Sequence, residues 1–259
     1  MDGLPEPPGK KINLPEWLLA SFWILAVGAI WFAAVRYLKI PDYILPSPDL
    51  VVVWIVDRPG YFLAATASTL KLIAIGFCAG VAAAIPVGFA LAKIQWLDRS
   101  LYPFIVFLQA MPLITIIPVL IIWLGYGLAS TWILVAFSVF FPVTVNAIAG
   151  VRSTPDRLFF VTRTMGASRL QTWRHVDWPM ALPYLMSAFR ISLAVAVTVS
   201  VVAEFIASNE GLGYAALRGV RNRDSVQVFA VVLITAALGV LLNAIAQFPE
   251  QRVLRKYRD

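Results

Sequence analysis

Residues 66–92 read TASTLKLIAIGFCAGVAAAIPVGFALA, a stretch in which Lys71 is the only charged residue. An apolar run of about 20 residues is long enough to cross a hydrocarbon core of about 30 Å as a helix. Further apolar runs of this kind occur at 17–35, 101–124, 131–150, 180–207 and 226–248. The sequence therefore predicts an all-α integral membrane protein with six transmembrane helices.

Composition excludes the other broad classes of protein. Hydrophobic residues make up 60% of the 259 residues and charged residues 14%, with a mean hydropathy of +0.81, which is too apolar for a soluble domain. A transmembrane barrel would show segments of alternating polarity instead of unbroken apolar blocks. The net charge of +7 comes from residues scattered between apolar runs. A nucleic-acid partner is therefore not expected, whereas membrane lipids are.

The distribution of lysine and arginine predicts the orientation of the chain. These residues are more numerous in the loops that share a side with the N-terminus, which by the positive-inside rule is the cytoplasmic side. We expect a cytoplasmic tail at 1–16, a permease-like membrane domain at 17–248 with a large cytoplasmic loop at 151–179, and a basic cytoplasmic tail at 249–259. Both termini are thus predicted to be cytoplasmic in a multi-pass protein.

Two loops and four prolines predict local structure. Residues 40–63 contain four prolines and are expected to be extended at first, then to form a short helix at the outer interface. The loop 151–179 is too charged to span the membrane, and its middle predicts a short helix that begins near Thr154 or Pro155. Prolines inside apolar runs remove helical hydrogen bonds, so bends are expected at Pro86, Pro112, Pro118 and Pro142.

The chain lacks the motifs of an enzyme or a motor. A phosphate-binding GxxxxGK[ST] loop is absent, and the only Gly-Lys pair, Gly9 and Lys10, lacks the rest of that motif. His175 and Cys78 are the only histidine and cysteine, which excludes clusters of these ligands for a metal. We expect no cofactor on this chain, and we expect Cys78 to be a buried apolar residue.

Polar residues within the apolar runs are candidates for a translocation path. Charges there are few: Glu204 is expected in water at a helix end, paired with Lys71 or an arginine, or in the path, and Arg190 is expected to extend to the cytoplasmic interface. Uncharged polar residues line a cavity or bond one helix to another. The candidate path residues are Gln109, Met111, Thr115, Asn146, Thr198 and Glu204.

The segment FFVTRTMGASRLQTWRHVDWPMALPYLMSAFRISLAVAVTVSVVAEF resembles the EAA loop and following helix of binding-protein-dependent ABC permeases. The glycine of the pattern is Gly166, and the Leu-Pro pair that follows it is Leu182 and Pro183. The motifs AEF at 203–205, GLGY at 211–214, LPSP at 45–48 and PLITIIPVLIIWLG at 112–125 are similar to those of the nitrate, sulfonate and taurine group. The resemblance covers nearly the whole chain and implies a type I ABC importer permease, a MetI-like bundle.

In one place this chain departs from the family pattern. Phe160, Val161 and Thr162 stand where the Glu-Ala-Ala residues belong, so the acidic contact is missing. An apolar surface of Phe160, Thr164 and Met165 can still dock on an ATPase, with Gly166 forming a sharp exit turn. The residues that the resemblance assigns to coupling with the ATPase are Phe160, Val161, Thr162, Arg163, Thr164, Met165, Gly166, Ala167, Ser168 and Arg169.

The resemblance also implies partners and a solute. It implies a homodimer, or a heterodimer with a related permease, two ABC ATPase subunits that bind ATP and Mg²⁺, and an extracytoplasmic binding protein, all at the bacterial inner membrane. The solute would be a small anion such as a sulfonate, taurine, nitrate or an aromatic or other organic carboxylate. Arg218, Arg221 and Arg223 would attract the anion or an acidic binding protein. The main alternative is an ion-coupled secondary transporter, which would need coupling carboxylates or internal repeats.

Overall fold

The computed structural model describes residues 16–256, with side chains at 22, 23, 25–252 and 255, and all regular secondary structure there is helical. The predicted tail at 1–16 lies outside the described residues except for Glu16, as do residues 257–259. The helices are α1 (Glu16–Leu38), α2 (Pro48–Asp57), α3 (Pro59–Lys93), α4 (Gln95–Ala110), α5 (Ile117–Leu124), α6 (Leu128–Arg152), α7 (Asp156–Thr164), α8 (Arg169–Thr172), α9 (Trp178–Ala207), α10 (Leu212–Arg221) and α11 (Ser225–Lys256).

Long apolar helices account for the predicted spans. Among the described residues, α3, α6, α9 and α11 are each long and apolar enough to cross a membrane, and α4 with α5 makes a fifth candidate if the bent pair is one span. The first predicted span corresponds to α1, whose described apolar part is Leu25–Leu38. The prediction of an all-α membrane bundle is confirmed.

The third predicted span, 101–124, is not one helix. Helices α4 and α5 meet at an angle of 93° around a single 3-10 turn, Leu113–Ile116. Pro112 explains the position of this break, because proline has no N–H and its ring clashes with the carbonyl of the preceding turn. Pro86 and Pro142 instead lie inside continuous helices.

The last helix extends beyond its predicted end. Helix α11 continues through Pro249 to Lys256, so most of the predicted tail at 249–259 is helical. Both predicted loop structures are confirmed, since α2 begins at Pro48 within 40–63 and α7 follows Pro155 within 151–179. Cys78 is exposed on the surface of the chain, contrary to the expectation that it would be buried.

Small residues bring α3 and α6 together at the centre of the bundle. Gly76, Gly80, Ala84 and Gly88 recur at every fourth residue, so they share one face of α3. The backbone of α6 approaches this face closely: a Cβ added at Gly80 would lie 2.6 Å from the carbonyl oxygen of Ala136. Such small-residue faces let membrane helices pack with their backbones nearly touching.

Replacing Gly80 with alanine is expected to destabilise the bundle, because the colliding atom belongs to a backbone that has no rotamer to change. We expect a loss of about 1–3 kcal/mol, as is typical for overpacking, and a lower midpoint in a thermal unfolding assay in detergent. Gly60→Ala is the matched control, since nothing lies within 4 Å of a Cβ at Gly60. Equal midpoints for the two variants would contradict this account of the α3–α6 contact.

Candidate coupling surface and translocation path

Helix α7 and the turn after it form a well-capped unit. The helix ends in a left-handed residue, Gly166, with φ of +69°. The N–H of Ala167 donates to the carbonyl oxygen of Thr162 at 2.9 Å, and the N–H of Gly166 donates to that of Arg163 at 3.0 Å. These two bonds form a Schellman motif, which satisfies carbonyls at the helix end. The predicted sharp turn at Gly166 is confirmed.

Helix α8 begins immediately after this turn and has its own cap. The N–H of Gln171 donates to the hydroxyl of Ser168 at 3.3 Å, and the N–H of Ser168 donates to the side chain of Gln171 at 2.7 Å. This reciprocal pair is a capping box, which defines where the helix starts. With caps on both sides, the segment between α7 and α8 has little freedom to change shape on its own.

An apolar surface projects from this unit. Phe160 is 74% exposed and Met165 is 79% exposed, with Val161 and Thr164 exposed beside them. We call Phe160, Val161, Thr164 and Met165 the coupling knob. Arg163 and Arg169 are exposed next to it. Large exposed apolar side chains on a charged loop are typical of an interaction surface and not of a solvated loop.

One residue of α7 contacts the end of α3, and the α3 residue at this contact pairs in turn with the residue before α9. The Nζ atom of Lys93, the last residue of α3, lies 4.1 Å from the centre of the Phe159 ring. The same atom is 2.7 Å from Oδ1 of Asp177, whose side chain is 4% exposed. Asp177 directly precedes α9, so this Lys93 junction ties α7 to both α3 and α9. The Lys93 side chain is 41% exposed, so the buried partner is Asp177, and removing Lys93 would leave its carboxylate without this ion pair.

The break between α4 and α5 lies at three of the predicted path residues. Gln109 and Thr115 are exposed on either side of it, and Met111 is half-buried. Because Pro112 cannot donate a hydrogen bond, the chain here leaves main-chain carbonyls at the end of α4 without helical partners. Non-helical backbone at membrane depth is tolerated only inside protein or next to water. A break of this kind within a membrane would therefore need protein or water beside it.

The other predicted path residues are not grouped at this break by any hydrogen bond. Asn146 is half-buried and its amide donates to the carbonyl oxygen of Pro142 in its own helix at 2.8 Å. Thr198 is exposed in a groove of about 400 Å³ between α9 and α11, opposite Thr235 and Gly239. The groove makes Thr198 accessible from the surface of the chain. The side-chain amide of Asn146, in contrast, is already engaged by a hydrogen bond within α6.

Glu204 lies in a position different from each expectation drawn from the sequence. It is 1% exposed, so it is neither in water nor on an open path. No ion pair joins it to Lys71 or to an arginine among the residues described. Its Oε2 atom accepts from the hydroxyl of Thr69 at 2.9 Å and from the N–H of Gly213 at 2.8 Å. The carboxyl group thus joins α9 to α3 and to the start of α10.

The arginines singled out from the sequence differ in their surroundings: one bonds to a neighbouring helix, and three are exposed. Arg190 bonds through its side chain to Glu250 and to Asn243, each at 3.1 Å, and so joins α9 to α11. Its extension to the cytoplasmic interface stays a prediction. Arg218, Arg221 and Arg223 are exposed at the end of α10 and in the turn after it. These three arginines lie at the opposite end of α9 from the coupling knob.

Sequence reasoning missed Thr69, Phe159, Lys93 and Asp177 as contributors to these sites. Thr69 is 135 positions from Glu204, and Lys93 is 84 positions from Asp177. Contacts over such distances follow no helical periodicity. The available signal was the placement of Lys93 and Asp177 at the ends of apolar runs, where a charge needs a partner.

Comparisons with known proteins identify relatives along almost the full chain. It is 36% identical over 254 residues to the riboflavin transport system permease protein RibX of Chloroflexus aurantiacus, covering 96% of this chain and 94% of the relative. It is 31% identical over 245 residues to the putative aliphatic sulfonates transport permease protein SsuC of Escherichia coli, covering 93% of each. Identity is also 31% over 222 residues, 85% of this chain and 88% of the relative, to the formylaminopyrimidine transport permease protein ThiX of Halalkalibacterium halodurans.

A solved structure has the same fold. The chain superposes on a chain of the inward-facing MetNI methionine ABC transporter with a TM-score of 0.67 at 21% sequence identity, covering 76% of this chain and 98% of that one. Residues 76–255 match the family described as "Binding-protein-dependent transport system inner membrane component". The resemblance to ABC permeases of the sulfonate and taurine group is confirmed. The chain belongs to this family and is a permease of an ABC importer.

Proposed function

We propose that this permease forms one half of a dimeric inner-membrane importer for a small anionic solute. Two ABC ATPase subunits would bind ATP and Mg²⁺ and drive transport, and an extracytoplasmic binding protein would deliver the solute. The permease itself would bind no cofactor. The coupling knob carries the proposal, since it is an exposed apolar surface on a short helix whose Phe159 contacts Lys93 at the end of α3, and Lys93 pairs with Asp177 at the start of α9.

The knob suits a role in receiving force from a separate ATPase. This chain has no nucleotide-binding loop, so movement must reach it through contact with a partner. Phe160 and Met165 offer apolar area, and the capped turn at Gly166 keeps them in one orientation. Since Lys93 and Asp177 connect α7 to α3 and α9, a displacement of α7 would be passed directly to both helices. If the ATPase subunits contact the permease differently with and without ATP, ATP binding would shift the permease between two conformational states.

The exposed residues at the break between α4 and α5 support the proposals of a translocation path there and of a second permease copy facing it. Gln109, Met111 and Thr115 lie at the break, and large apolar side chains around it, including Phe107 and Ile122, are exposed on the isolated chain. Exposed polar groups and backbone at membrane depth need water or protein. A second permease copy facing this surface would enclose a water-filled path lined by the three residues, with Asn146 and Thr198 as further candidates.

We propose the end of α10 as the docking site for the binding protein. In this topology the end of α10 lies outside the cell, and the coupling knob and both termini lie in the cytoplasm. Arg218, Arg221 and Arg223 give this end a positive potential that would attract an anionic solute or an acidic protein surface. The relatives named for aliphatic sulfonates and taurine support an anion. The relatives named for riboflavin and formylaminopyrimidine favour, as a second candidate, an uncharged nitrogen heterocycle.

The deciding experiment is purification of the tagged permease from its native membranes in mild detergent, followed by reconstitution and uptake assays. We expect an ABC ATPase to co-purify, and ATP-dependent uptake of a radiolabelled sulfonate, taurine, nitrate or aromatic carboxylate with its binding protein. Riboflavin and formylaminopyrimidine are measured in parallel. Uptake of the heterocycles alone would overturn the anion proposal, and uptake driven by an ion gradient without any ATPase would favour a secondary carrier.

Orientation is tested in the same membranes with single cysteines in a Cys78→Ser background. Asn222→Cys, in the turn after α10, should react with a membrane-impermeant maleimide from the outside of intact cells. Gln171→Cys, next to the coupling knob, should react only after the membrane is opened. The reverse pattern would overturn the proposed topology.

A further inference from the structure

We infer that Glu204, Thr69 and the turn at 211–213 form a latch that makes α10 move together with α3 and α9. We call this set the Glu204 junction. This inference rests on the proposed function. It specifies how docking of a binding protein at α10 and binding of the ATPase at α7 would affect each other. Glu204 and Thr69 are thus positioning residues that act through α10, and not residues that touch the solute.

The hydrogen bonds of the junction join three helices through two side chains. Thr69 of α3 accepts from the N–H of Leu212 at 2.9 Å, and its hydroxyl lies 2.9 Å from Oε2 of Glu204. The same Oε2 atom accepts from the N–H of Gly213 at 2.8 Å. These two N–H groups belong to the first turn of α10, which has no helical acceptors for them. The junction therefore satisfies the start of α10 with atoms that belong to α3 and α9.

Steric fit makes the contact specific to glycine at two positions. A Cβ at Gly211 would collide with the Glu204 carboxyl group, and a Cβ at Gly213 would collide with the carbonyl oxygen of Val201. Gly211 also has φ of +96°, a conformation that favours glycine. The turn thus packs directly onto α9 with no side chain between them, so α10 cannot shift without breaking these contacts.

Helices α3 and α9 carry the junction to the other end of the bundle. Thr69 and Lys93 are on the same continuous helix, and at 1.5 Å per residue they lie about 36 Å apart. Lys93 forms an ion pair with Asp177, and its Nζ atom also lies over the ring of Phe159, beside the coupling knob. Each helix therefore joins the Glu204 junction at one end to the Lys93 junction at the other. Coupling through such elements is reciprocal, so a change at either end biases the other.

Beyond its first turn α10 also packs on α11, where Gly219 lies against Val228, while Arg218 and Arg221 stay exposed. Gln227 of α11 donates to the carbonyl oxygen of Ala215 at 2.7 Å and to the hydroxyl of Tyr61 at 3.0 Å, which supports the middle of the helix. Arg218 and Arg221 remain exposed beyond this point. Docking at these arginines would tilt a helix whose first turn is bonded to α3 and α9, and the tilt would be transmitted to both.

Two matched pairs of variants test the latch. Thr69→Val removes the hydroxyl at nearly constant volume, whereas Thr69→Ser retains it. Glu204→Met removes both acceptor oxygens, whereas Glu204→Gln keeps one, which is enough because both bonds fall on Oε2. Hydrogen–deuterium exchange is measured on each complex with its co-purified ATPase, without nucleotide and after trapping with ATP, Mg²⁺ and vanadate. Peptides covering 156–164 and 208–224 report on α7 and α10.

We expect trapping to change exchange at both α7 and α10 in the wild type, Thr69→Ser and Glu204→Gln. In Thr69→Val and Glu204→Met the change at α7 should persist, while that at α10 should fall by at least about fivefold, the lower range of allosteric coupling factors. An undiminished response of α10 in these two variants would overturn the latch alone.

If a disruptive variant does not assemble, the wild-type complex alone still tests the latch, because the responses of α7 and α10 to trapping can be compared in it. An α10 that ignores trapped nucleotide while α7 responds would overturn the latch and leave the proposed function standing. An α7 that does not respond, or the absence of any ATPase, would overturn the proposed function and the latch together. A response at both ends that is retained in Thr69→Ser supports both.

Discussion

Replacing Phe160 and Met165 together with aspartate is expected to abolish ATPase co-purification and solute uptake. Burying a side chain of this size contributes about 1.5–3 kcal/mol, and each carboxylate would add a desolvation penalty at the interface. Since 1.4 kcal/mol is a factor of ten in affinity, we expect at least about a hundredfold weaker ATPase binding. Pull-down of the ATPase with the tagged permease, titrated in detergent, measures the change.

The matched control for the knob variant is Tyr37→Asp. Tyr37 is also a large exposed side chain, but it lies at the far end of α1. The Tyr37→Asp variant should bind the ATPase as the wild type does, because position 37 is remote from α7. If the Phe160 and Met165 double variant kept wild-type ATPase affinity, the coupling surface would have to lie elsewhere, and the proposed function would lose its main support.

Replacing Thr115 with tryptophan is expected to block uptake while leaving the complex assembled. Thr115 is exposed at the break between α4 and α5, where an indole would occupy the proposed path. If the indole raises the barrier to transport by about 1–3 kcal/mol, the range typical of overpacking, uptake should fall by about fivefold to more than a hundredfold. Radiolabelled solute uptake into proteoliposomes and ATPase pull-down are measured on the same preparation.

The matched control for the path variant is Ala67→Trp, an exposed position on α3. It introduces the same side chain away from the break and should retain uptake. Normal uptake by Thr115→Trp would show that residues 111–116 do not line the path. Loss of ATPase binding together with uptake would instead indicate a folding defect, and Thr115→Val, which removes the hydroxyl without adding bulk, would then serve to test the role of this position.

The Lys93 and Glu204 junctions together describe how a permease without a motor can respond at both ends. Lys93 and Asp177 form an ion pair beside the knob, whereas Glu204 and Thr69 hold the first turn of α10 by neutral donors. The two junctions share α3 and α9, which are among the longest helices of the described chain. In the proposed mechanism, α3 and α9 would carry force from the coupling knob to the surface where a binding protein would dock.

Some site residues followed from the sequence because their roles are local. Gly166 was predicted at a sharp turn, and a left-handed residue ending a short helix is what glycine permits at low cost. The exposure of Phe160 and Met165 followed from their place in a loop too charged to span. In contrast, the partners of Arg190 did not follow from the sequence, because Glu250 and Asn243 come within hydrogen-bonding distance only when α11 packs on α9.

By itself the sequence determined the class of the protein, its apolar spans, the helix in the loop 151–179 and the turn at Gly166. These features depend on burial in the bilayer and on local backbone preferences, which each segment carries on its own. Tertiary structure alone decided that the bend predicted at Pro112 reaches 93°, and it alone decided the partners of Glu204 and Asp177. A polar side chain inside a bundle takes whichever donor or acceptor the packing of other helices provides, and that choice is not encoded in nearby residues.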